Sequence, residues 1–324
     1  MTTPVKTSPS LQRGSQVWFN GQILPESEIR VSIFTHALHY GMGIFEGIRA
    51  YSHRQGGGAV FRLGEHVDRF FESAKILGIK IPYSPAQIFQ ACIDACKANG
   101  FDECYIRPIA YIGDGPLGIH PGNTPPIDVA ILTWVWPSYL SPESVAKGSR
   151  LKISSYTRGQ VNNIMTKGKI TGQYVNSVLA KREATDMGYD ESLQLDTEGY
   201  LAEGTGANLF MIKEGVVKTT PLNSILNGIT RQTLITLLKK RGLEVQEIRF
   251  TRDELYCADE VFITGTAAEV TPVREIDGRL IGKGSHEGSV GPITAEIKHQ
   301  YSELVRGGLE FEFSKDWLTR FSCE

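Results

Sequence analysis

The amino-acid sequence predicts an α+β fold in two domains, on three observations. The 324 residues leave room for two domains of common size, which run to roughly 100–200 residues each. Segments with strand and helix periodicity follow one another, but not in the strict alternation of a parallel α/β sheet. Hydrophobic residues make up 41% and charged residues 22% of the chain, near the averages for globular proteins, so a substantial core is expected.

The first half of the chain predicts a hairpin, two helices and two strands. Residues 17–24 place Asn-Gly between two short apolar runs, the strongest local signal for a tight hairpin. Residues 62–79 carry apolar side chains at helical spacing up to a glycine, and residues 85–98 form a second helix before Asn-Gly. Residues 104–113 are β-rich. Residues 127–136 predict a buried strand, because this apolar run is far shorter than the about 20 residues of a membrane span.

The second half predicts a mixture of strands and helices. A strand at residues 151–156 and a helix at residues 176–188 precede a β-meander, broken by Glu-Gly turns, over residues 192–219. An amphipathic helix follows, and residues 251–254 have the Thr-x-x-Glu pattern of a capping box. Residues 259–280 then predict two strands joined by a tight turn and followed by an Asp-Gly turn.

The predicted domain boundary is a polar run containing proline and serine, which indicates a linker at residues 137–149. It separates a smaller N-terminal domain, residues 16–136, from a larger C-terminal domain, residues 150–324. Residues 1–15 lack a continuous apolar core, so we expect a flexible tail rather than a signal peptide.

Charge and cysteine content exclude several classes of function. A formal net charge of −2 predicts no broad attraction to nucleic acids or membranes. The five cysteines lack the paired spacing of a zinc site, so we expect no metal and reduced, buried thiols in a cytoplasmic protein. These cysteines are Cys92, Cys96, Cys104, Cys257 and Cys323.

Several familiar motifs are absent or incomplete. The glycines of residues 41–47 are spaced G-x-G-x-x-x-G and do not follow an apolar strand, so they do not indicate a dinucleotide loop. His36 and His39 have helical ligand spacing but no third ligand nearby, and core hydrogen bonding is the simpler interpretation. The sequence contains neither the P-loop pattern nor the Gly-x-Ser-x-Gly elbow of hydrolases.

What remains is a pair of lysines, Lys167 and Lys169, in an irregular segment. Three turns of small residues in the second half, at residues 203–208, 226–231 and 263–268, can present backbone N–H groups to an anion. An amine, an anion cradle and an acid to pair with a pyridinium ring are what pyridoxal phosphate requires. The pattern therefore suggests this cofactor, without deciding between the two lysines.

The motifs HALHYGMGIFEGIRAY, FRLGEHVDRFFESAKILGI, YIRP, KITGQY, GYLAEGTGANLF, NGITR and EVFITGTAAEVTPV occur in this order. Together they resemble the branched-chain amino acid aminotransferases, which are fold-type IV pyridoxal phosphate enzymes, from about Val17 to the C-terminus. The resemblance implies two α/β domains with mixed and antiparallel sheets and flanking helices. It also implies a site between the domains, with the cofactor on the C-terminal one. It further implies a homodimer or higher homo-oligomer, with the loop at residues 113–122 near the neighbouring site.

The resemblance also assigns the residues of the cofactor site. Lys169, separated by four residues from Tyr174, is implied as the catalytic lysine that links covalently to the cofactor and moves the substrate proton. Glu203 is implied at the pyridine nitrogen and Tyr174 at the phenolate oxygen. Helical periodicity places Arg69 opposite the apolar stripe, in solvent, whereas the family motif makes it a phosphate ligand. The remaining implied phosphate ligands are Ile229, Thr230, Gly265 and Thr266.

For the substrate, the resemblance implies an apolar box with one cation. The box is implied to consist of Tyr40, Phe45, Gly47, Tyr105 and Tyr139. Arg107 is implied to engage the distal carboxylate of glutamate, and the turn at Thr266 and Ala267 the α-carboxylate. Pro116-Leu117, within the 113–122 loop, departs from the small residues expected there, which bears on side-chain preference.

The predicted function is amino transfer between L-valine, L-leucine or L-isoleucine and 2-oxoglutarate. Two alternatives stay open: a D-amino acid or (R)-selective amine transaminase of the same fold type, and a pyridoxal-binding protein without turnover. The expected partners are small molecules, namely amino acids and 2-oxo acids, and not nucleic acids or membranes.

Overall fold

The computed structural model describes residues 11–136 and 141–323, which form two β-sheets with helices packed on them. Strands of the first half are β1 (Gln12–Arg13), β2 (Gln16–Phe19), β3 (Gln22–Pro25), β4 (Gly43–Phe45), β5 (Ile48–Ser52), β6 (Gly58–Phe61), β7 (Cys104–Ile112) and β8 (Ile127–Val135). Those that follow are β9 (Ser149–Ile153), β10 (Glu191–Leu195), β11 (Leu201–Gly204), β12 (Asn208–Lys213), β13 (Val216–Thr219), β14 (Val245–Glu247), β15 (Glu260–Gly265), β16 (Glu269–Ile276), β17 (Arg279–Leu280) and β18 (Leu318–Phe321).

The first sheet pairs its strands antiparallel, in the order β18-β6-β5-β7-β8-β2-β3, with β1 beside β8 and β4 beside β7. The predicted Asn-Gly hairpin joins β2 to β3, and Asn20 and Gly21 have φ values of 47° and 94°. Two positive φ angles suit a turn that matches the strand twist, which explains why asparagine and glycine occupy it.

The second sheet is mixed, in the order β11-β10-β9-β16-β15-β12-β13-β14, with β17 beside β16. Strand β9 runs parallel to both β10 and β16, and β13 runs parallel to β14. The predicted α+β class is therefore confirmed, because antiparallel ladders dominate and parallel pairs interrupt them.

The helices are α1 (His36–Tyr40), α2 (Leu63–Leu77), α3 (Pro85–Ala98), α4 (Pro142–Lys147), α5 (Tyr174–Asp186), α6 (Ile229–Lys240), α7 (Arg252–Tyr256) and α8 (Pro292–Val305). Helix α2 ends at Gly78 in the left-handed conformation, as its sequence predicts. The predicted capping box precedes α7, where the Thr251 N–H donates to Glu254 Oε2 at 2.9 Å. None of the helices in the described ranges is long and apolar enough to cross a membrane.

The predicted linker is partly structured. Of residues 137–149, those from 141 onward are described; they contain α4 and the first residue of β9. Strand β18, from the end of the chain, pairs with β6 of the first sheet. The boundaries of the two domains stay a prediction, but strand pairing places residues 318–321 with the first sheet.

Buried side chains form three clusters that position the two sheets. One joins α2 and α3 to the first sheet, and a second fills one face of the second sheet. The third includes Tyr51 and Phe61 of the first sheet together with Phe210 and Phe262 of the second. Burial of these rings holds the two sheets against each other, since each large aromatic removes much apolar surface from water.

The prediction of buried thiols holds for three of the five cysteines. Cys92, Cys96 and Cys104 are buried, and Cys323 is half-buried. Cys257 is exposed, contrary to the prediction, because it follows the last turn of the short helix α7. All five are free thiols, with Cys96 Sγ 3.5 Å from Cys104 Sγ.

Candidate active site

A cleft lies where loops of the second sheet face α2 and β7 of the first half. Its walls carry a lysine, two arginines, a buried glutamate and the small-residue turns that the sequence singled out. Among the predicted site residues, those lining it are Arg69, Tyr105, Lys169, Tyr174, Glu203, Ile229, Thr230, Gly265, Thr266 and Ala267.

Lys169 is held by its backbone on both sides. Its N–H donates to the buried Ser73 Oγ of α2 at 3.0 Å, and its carbonyl accepts from the Phe45 N–H at 3.0 Å. These bonds fix an irregular segment that has no helix or sheet ladder of its own. Lys169 Nζ lies 5.2 Å from the ring centre of Phe45 and 5.7 Å from that of Tyr174, inside the cleft.

Lys167 is placed differently. Its Nζ donates to the carbonyl of Ile225 at 3.1 Å, and the residue does not line the cleft. Burial of the amine lowers the pKa of Lys167, and the charge of Glu203 opposes this. Of the two lysines, Lys169 is therefore the one whose amine enters the cleft.

Glu203 is buried near the end of β11 and receives donors from three directions. Arg158 Nη2 lies 2.6 Å from Glu203 Oε1, and Asn208 Nδ2 donates to Oε2 at 3.1 Å. The Leu226 N–H makes long bonds of 3.4 and 3.3 Å to the two oxygens. Burial raises the pKa of Glu203, although Arg158 and the Leu226 N–H oppose the rise.

Sequence reasoning missed both side-chain partners of this glutamate. Arg158 lies in an irregular segment with no periodicity, so nothing local indicates its contact. Asn208 begins the strand after Glu203 and contacts it across the turn. A Cβ on Gly228 would lie 2.0 Å from Asn208 Oδ1, so glycine at this position lets the turn before α6 approach Asn208.

Arg69 corrects the prediction from periodicity, which placed it in solvent. Its exposed fraction is 8%, and the hydrogen-bond partners of its guanidinium in the described chain come from outside α2. Nε donates to Glu46 Oε1 at 2.7 Å, Nη2 donates to Glu46 Oε2 at 2.9 Å, and Nη1 donates to the Asn227 carbonyl at 2.9 Å. Other elements cover the polar side of α2 at this position, so the rule that the polar face of a helix meets water does not hold here.

Backbone N–H groups form the far end of the cleft. Helix α6 begins at Ile229 after Gly228, which supplies no side-chain cap, so the first N–H groups of the helix have no intrahelical partner, and Ile229 and Thr230 line the cleft. The turn at Gly265, Thr266 and Ala267 joins β15 to β16 and lines the same cleft. Amides of this kind bind anions, and a helix N-terminus adds a favourable dipole.

The cleft continues into a more apolar compartment, lined by Phe45, Tyr105, Arg107, Trp136 and Ala267 among others. The Arg107 guanidinium lies over aromatic rings, 4.7 Å from the centre of Phe45 and 5.5 Å from that of Tyr105. Its Nε has no hydrogen-bond partner within the described part of the chain. Trp136, directly after β8, is a lining residue that the sequence analysis did not select.

Two residues predicted to line the substrate site, Gly47 and Tyr40, do not line either compartment. A Cβ on Gly47 would lie 1.9 Å from the Tyr105 hydroxyl, so Gly47 acts by making room for that tyrosine. Tyr40 does not line either compartment; its side chain is 44% exposed, and its hydroxyl donates to the Leu117 carbonyl at 2.7 Å. Tyr139 lies outside the described residues.

The two histidines of α1 are structural, as their sequence context suggests. His36 Nε2 lies 3.0 Å from the Gly118 carbonyl, and His39 Nε2 lies 2.8 Å from the Ile33 carbonyl. These bonds tie α1 to the loop at residues 113–122 and to the segment before the helix.

A cleft with a lysine amine, a buried carboxylate, an arginine and an amide cradle is suited to amine chemistry on an anionic cofactor. Residues 43–276 match the family model of the class IV amino-transferases, and the chain belongs to this family of enzymes. The branched-chain-amino-acid aminotransferase of Pseudomonas aeruginosa is 44% identical over 307 residues, covering 95% of this chain and 97% of that protein. That of Escherichia coli K12 is 41% identical over 309 residues, with the same coverage.

Solved structures agree with these relatives. The crystal structure of the T.th. branched-chain amino acid aminotransferase complexed with N-(5'-phosphopyridoxyl)-L-glutamate has a TM-score of 0.89 and 45% identity. The match covers 95% of this chain and 99% of that one. The resemblance to the branched-chain aminotransferases, and with it the fold-type IV architecture, is confirmed.

Proposed function

We propose that this aminotransferase uses pyridoxal phosphate to exchange the amino group between L-valine, L-leucine or L-isoleucine and 2-oxoglutarate. The observation that carries the proposal is the position of Lys169 Nζ, where the polar compartment meets the apolar one. A cofactor in the first and a substrate in the second would meet at this amine. A relative of known structure is complexed with a phosphopyridoxyl derivative of glutamate, which joins a cofactor and a substrate in one molecule.

The residues present fit pyridoxal phosphate. The N–H groups of Ile229, Thr230 and Thr266, with Arg69, would hold the phosphate. Glu203 would face the ring nitrogen and Tyr174 the phenolate oxygen. When bound, the cofactor supplies an aldehyde and an electron-withdrawing ring, which make the Cα proton of an amino acid acidic.

Lys169 would do the proton transfer. Its Nζ lies over two aromatic rings and makes no hydrogen bond or ion pair with the residues that the structure describes. A primary amine at this position can accept the proton that leaves the substrate Cα. The two backbone bonds to Lys169 would keep Nζ in reach of the substrate Cα while the side chain moves.

The apolar compartment would accept both substrates. Phe45 and Tyr105 would cover a branched aliphatic side chain. Arg107, stacked on these rings without an acidic partner in the described chain, would pair with the distal carboxylate of glutamate or 2-oxoglutarate. The turn at Thr266 and Ala267 would bind the α-carboxylate in both cases.

We also propose that the working unit is a homodimer. Apolar side chains of α1, its preceding segment and the 113–122 loop are exposed together, which is costly for a monomer. The most exposed are Ile33 at 76%, Leu38 at 65%, Phe34 at 55% and Ile119 at 88%. Tyr40 lies on this surface, and in a dimer it would reach the partner's site with the loop. A cytoplasmic location stays a prediction.

Reduction with borohydride followed by peptide mapping tests the cofactor link. We expect the label on Lys169 and none in Lys169→Ala, whereas Lys167→Ala keeps it. A label on Lys167 would overturn the assignment of the site.

Competition between amine donors tests the reaction. We expect L-valine to react much faster than D-alanine or (R)-1-phenylethylamine with 2-oxoglutarate as acceptor. Preference for either competitor would replace the proposed substrate class. No turnover, with the visible band of bound cofactor present, would favour the binding protein instead.

Sedimentation tests the dimer. The wild-type chain should sediment as a dimer or larger, and Ile33→Asp should shift it towards the monomer, because an aspartate cannot be buried there without a partner. A monomeric wild-type protein with full activity would refute this part of the proposal.

A further inference from the structure

Behind Arg69 lies a fully buried group of charged and polar side chains that the cleft itself does not contain. The Glu46 side chain is 0% exposed, and the His66 side chain is 2% exposed. Glu46 follows β4, and His66 lies on α2, one helical turn before Arg69. Neither residue lines the cleft, so neither can touch a cofactor or a substrate directly.

Glu46 is saturated with donors. Its Oε1 accepts from Arg69 Nε at 2.7 Å, and its Oε2 accepts from Arg69 Nη2 at 2.9 Å. His66 Nδ1 lies 2.8 Å from Oε2, and the Gly47 N–H donates to the same oxygen at 3.2 Å. A two-point contact of this type fixes the plane of the guanidinium as well as its position.

This contact decides which part of Arg69 remains available. Arginine has five N–H donors in a fixed fork. Two of them go to Glu46 and one to the Asn227 carbonyl, which leaves two without an acceptor in the described chain. Because Arg69 also lines the cleft, the remaining donors are those that an anion in the cleft can take.

We propose that Glu46, supported by His66, is a positioning residue that orients Arg69 for the phosphate of the cofactor. The inference rests on the proposed function, since it takes Arg69 as a phosphate ligand. Glu46 also offsets the charge of a buried arginine, which would otherwise be expensive to keep in the protein before the phosphate arrives. His66 holds Glu46 Oε2 from the other side, so that the carboxylate cannot rotate away from the guanidinium.

The test compares a cofactor that has a phosphate with one that lacks it. Binding of pyridoxal phosphate and of pyridoxal is measured by equilibrium dialysis on the full-length apoprotein, for the wild type and Glu46→Gln. We expect the affinity for pyridoxal phosphate to fall about tenfold or more, with little change for pyridoxal. An equal loss for both would mean a merely structural role and would overturn the inference.

Two further variants keep the result interpretable if Glu46→Gln folds poorly. Glu46→Asp retains the negative charge, but its shorter side chain places the carboxylate farther from the Arg69 guanidinium. It should also lose affinity for pyridoxal phosphate selectively, but to a smaller degree. In an Arg69→Gln background, Glu46→Asp should have no further effect on the ratio of the two affinities. A further selective loss in that background would show that Glu46 does not act through Arg69.

Glu275→Gln is the matched control, because Glu275 forms a similar two-point pair with Arg150 and neither residue lines the cleft. It should leave the ratio of the affinities for pyridoxal phosphate and pyridoxal unchanged, and a change as large as that of Glu46→Gln would count against the inference.

The failure of the inference and that of the proposed function give different results. If the wild type bound neither cofactor, the proposed function would fail. If the wild type bound both as expected and Glu46→Gln kept the wild-type ratio, only the inference would fail.

Discussion

Two buried carboxylate–arginine pairs lie at the cleft, and they differ in how fully the carboxylate is satisfied. Glu46 receives four short or moderate hydrogen bonds and does not reach the cleft. Glu203 receives one close contact from Arg158, while its other bonds are 3.1 Å or longer, and it lines the cleft.

The pKa values follow this difference. Burial raises the pKa of Glu46, but Arg69 and His66 outweigh it and hold that pKa well below its usual range. For Glu203, burial prevails over Arg158, and the pKa is raised. Burial alone therefore does not mark a functional carboxylate. In the proposed site, Glu203 keeps unused hydrogen-bonding capacity and lines the cleft, so it is the carboxylate that would face the ligand, whereas the saturated Glu46 would act on its neighbour Arg69.

Of the changes that test this difference between Glu46 and Glu203, neutralising Glu203 should have the largest effect, which is on kcat. Glu203→Gln should lower kcat about a hundredfold or more, because the carboxylate that would face the ring nitrogen is lost, while cofactor affinity changes little. Steady-state kinetics at saturating cofactor measure kcat, and dialysis measures the affinity. Glu46→Gln should instead lower the affinity for the cofactor and leave kcat at saturating cofactor little changed. Equal behaviour of the two variants would remove the distinction between the two pairs.

Removing Arg158 should shift the pH profile of activity. Arg158 lowers the pKa of Glu203 against burial, so Arg158→Gln should raise that pKa further and leave less carboxylate ionised at low pH. The acid side of the kcat/KM profile should move to higher pH, so that the loss relative to the wild type grows as the pH falls. Arg150→Gln is the control and should keep the wild-type profile.

A change at His66 should have the smallest effect, and chiefly on stability. Burial lowers the pKa of His66 below 6.5, although Glu46 opposes this. The unfolded chain therefore binds more protons, so this histidine favours folding above pH 6.5, and the contribution is lost as the pH falls through the folded pKa. Urea unfolding of apoprotein between about pH 7.5 and about pH 5 should show a weaker pH dependence in His66→Gln. His286→Gln, an exposed control, should keep the wild-type dependence.

Local patterns of the sequence predict most elements of this fold. The Asn-Gly hairpin, helix α3 ending before Asn-Gly, and the capping box of α7 all form where the sequence places them. Helix α5 begins at Tyr174, two residues before the predicted start, because a turn of tighter helix at residues 171–173 leads into it. Turn and cap signals succeed because they involve neighbours within four residues.

The partners of the site residues are harder to predict. Arg69 looks exposed by periodicity, yet Glu46 and Asn227 come from other elements to meet it. Arg158 has no local signal at all, and it finds Glu203 only because an irregular segment crosses the end of β11. The aromatic residues predicted for the substrate site do not all lie together, because Tyr40 is at the surface whereas Tyr105 lines the cleft.

The sequence alone determined where most strands, helices and turns occur, because local backbone preferences and hydrophobic periodicity within short stretches of chain control them. The order of its motifs carried the resemblance to the family, and that resemblance pointed to Lys169. Only the tertiary structure decided that Glu203 keeps hydrogen-bonding capacity on the cleft side, whereas the carboxylate of Glu46 is fully hydrogen-bonded, mainly by Arg69. That choice depends on how many donors converge on each carboxylate from distant segments and on how much water is excluded around it.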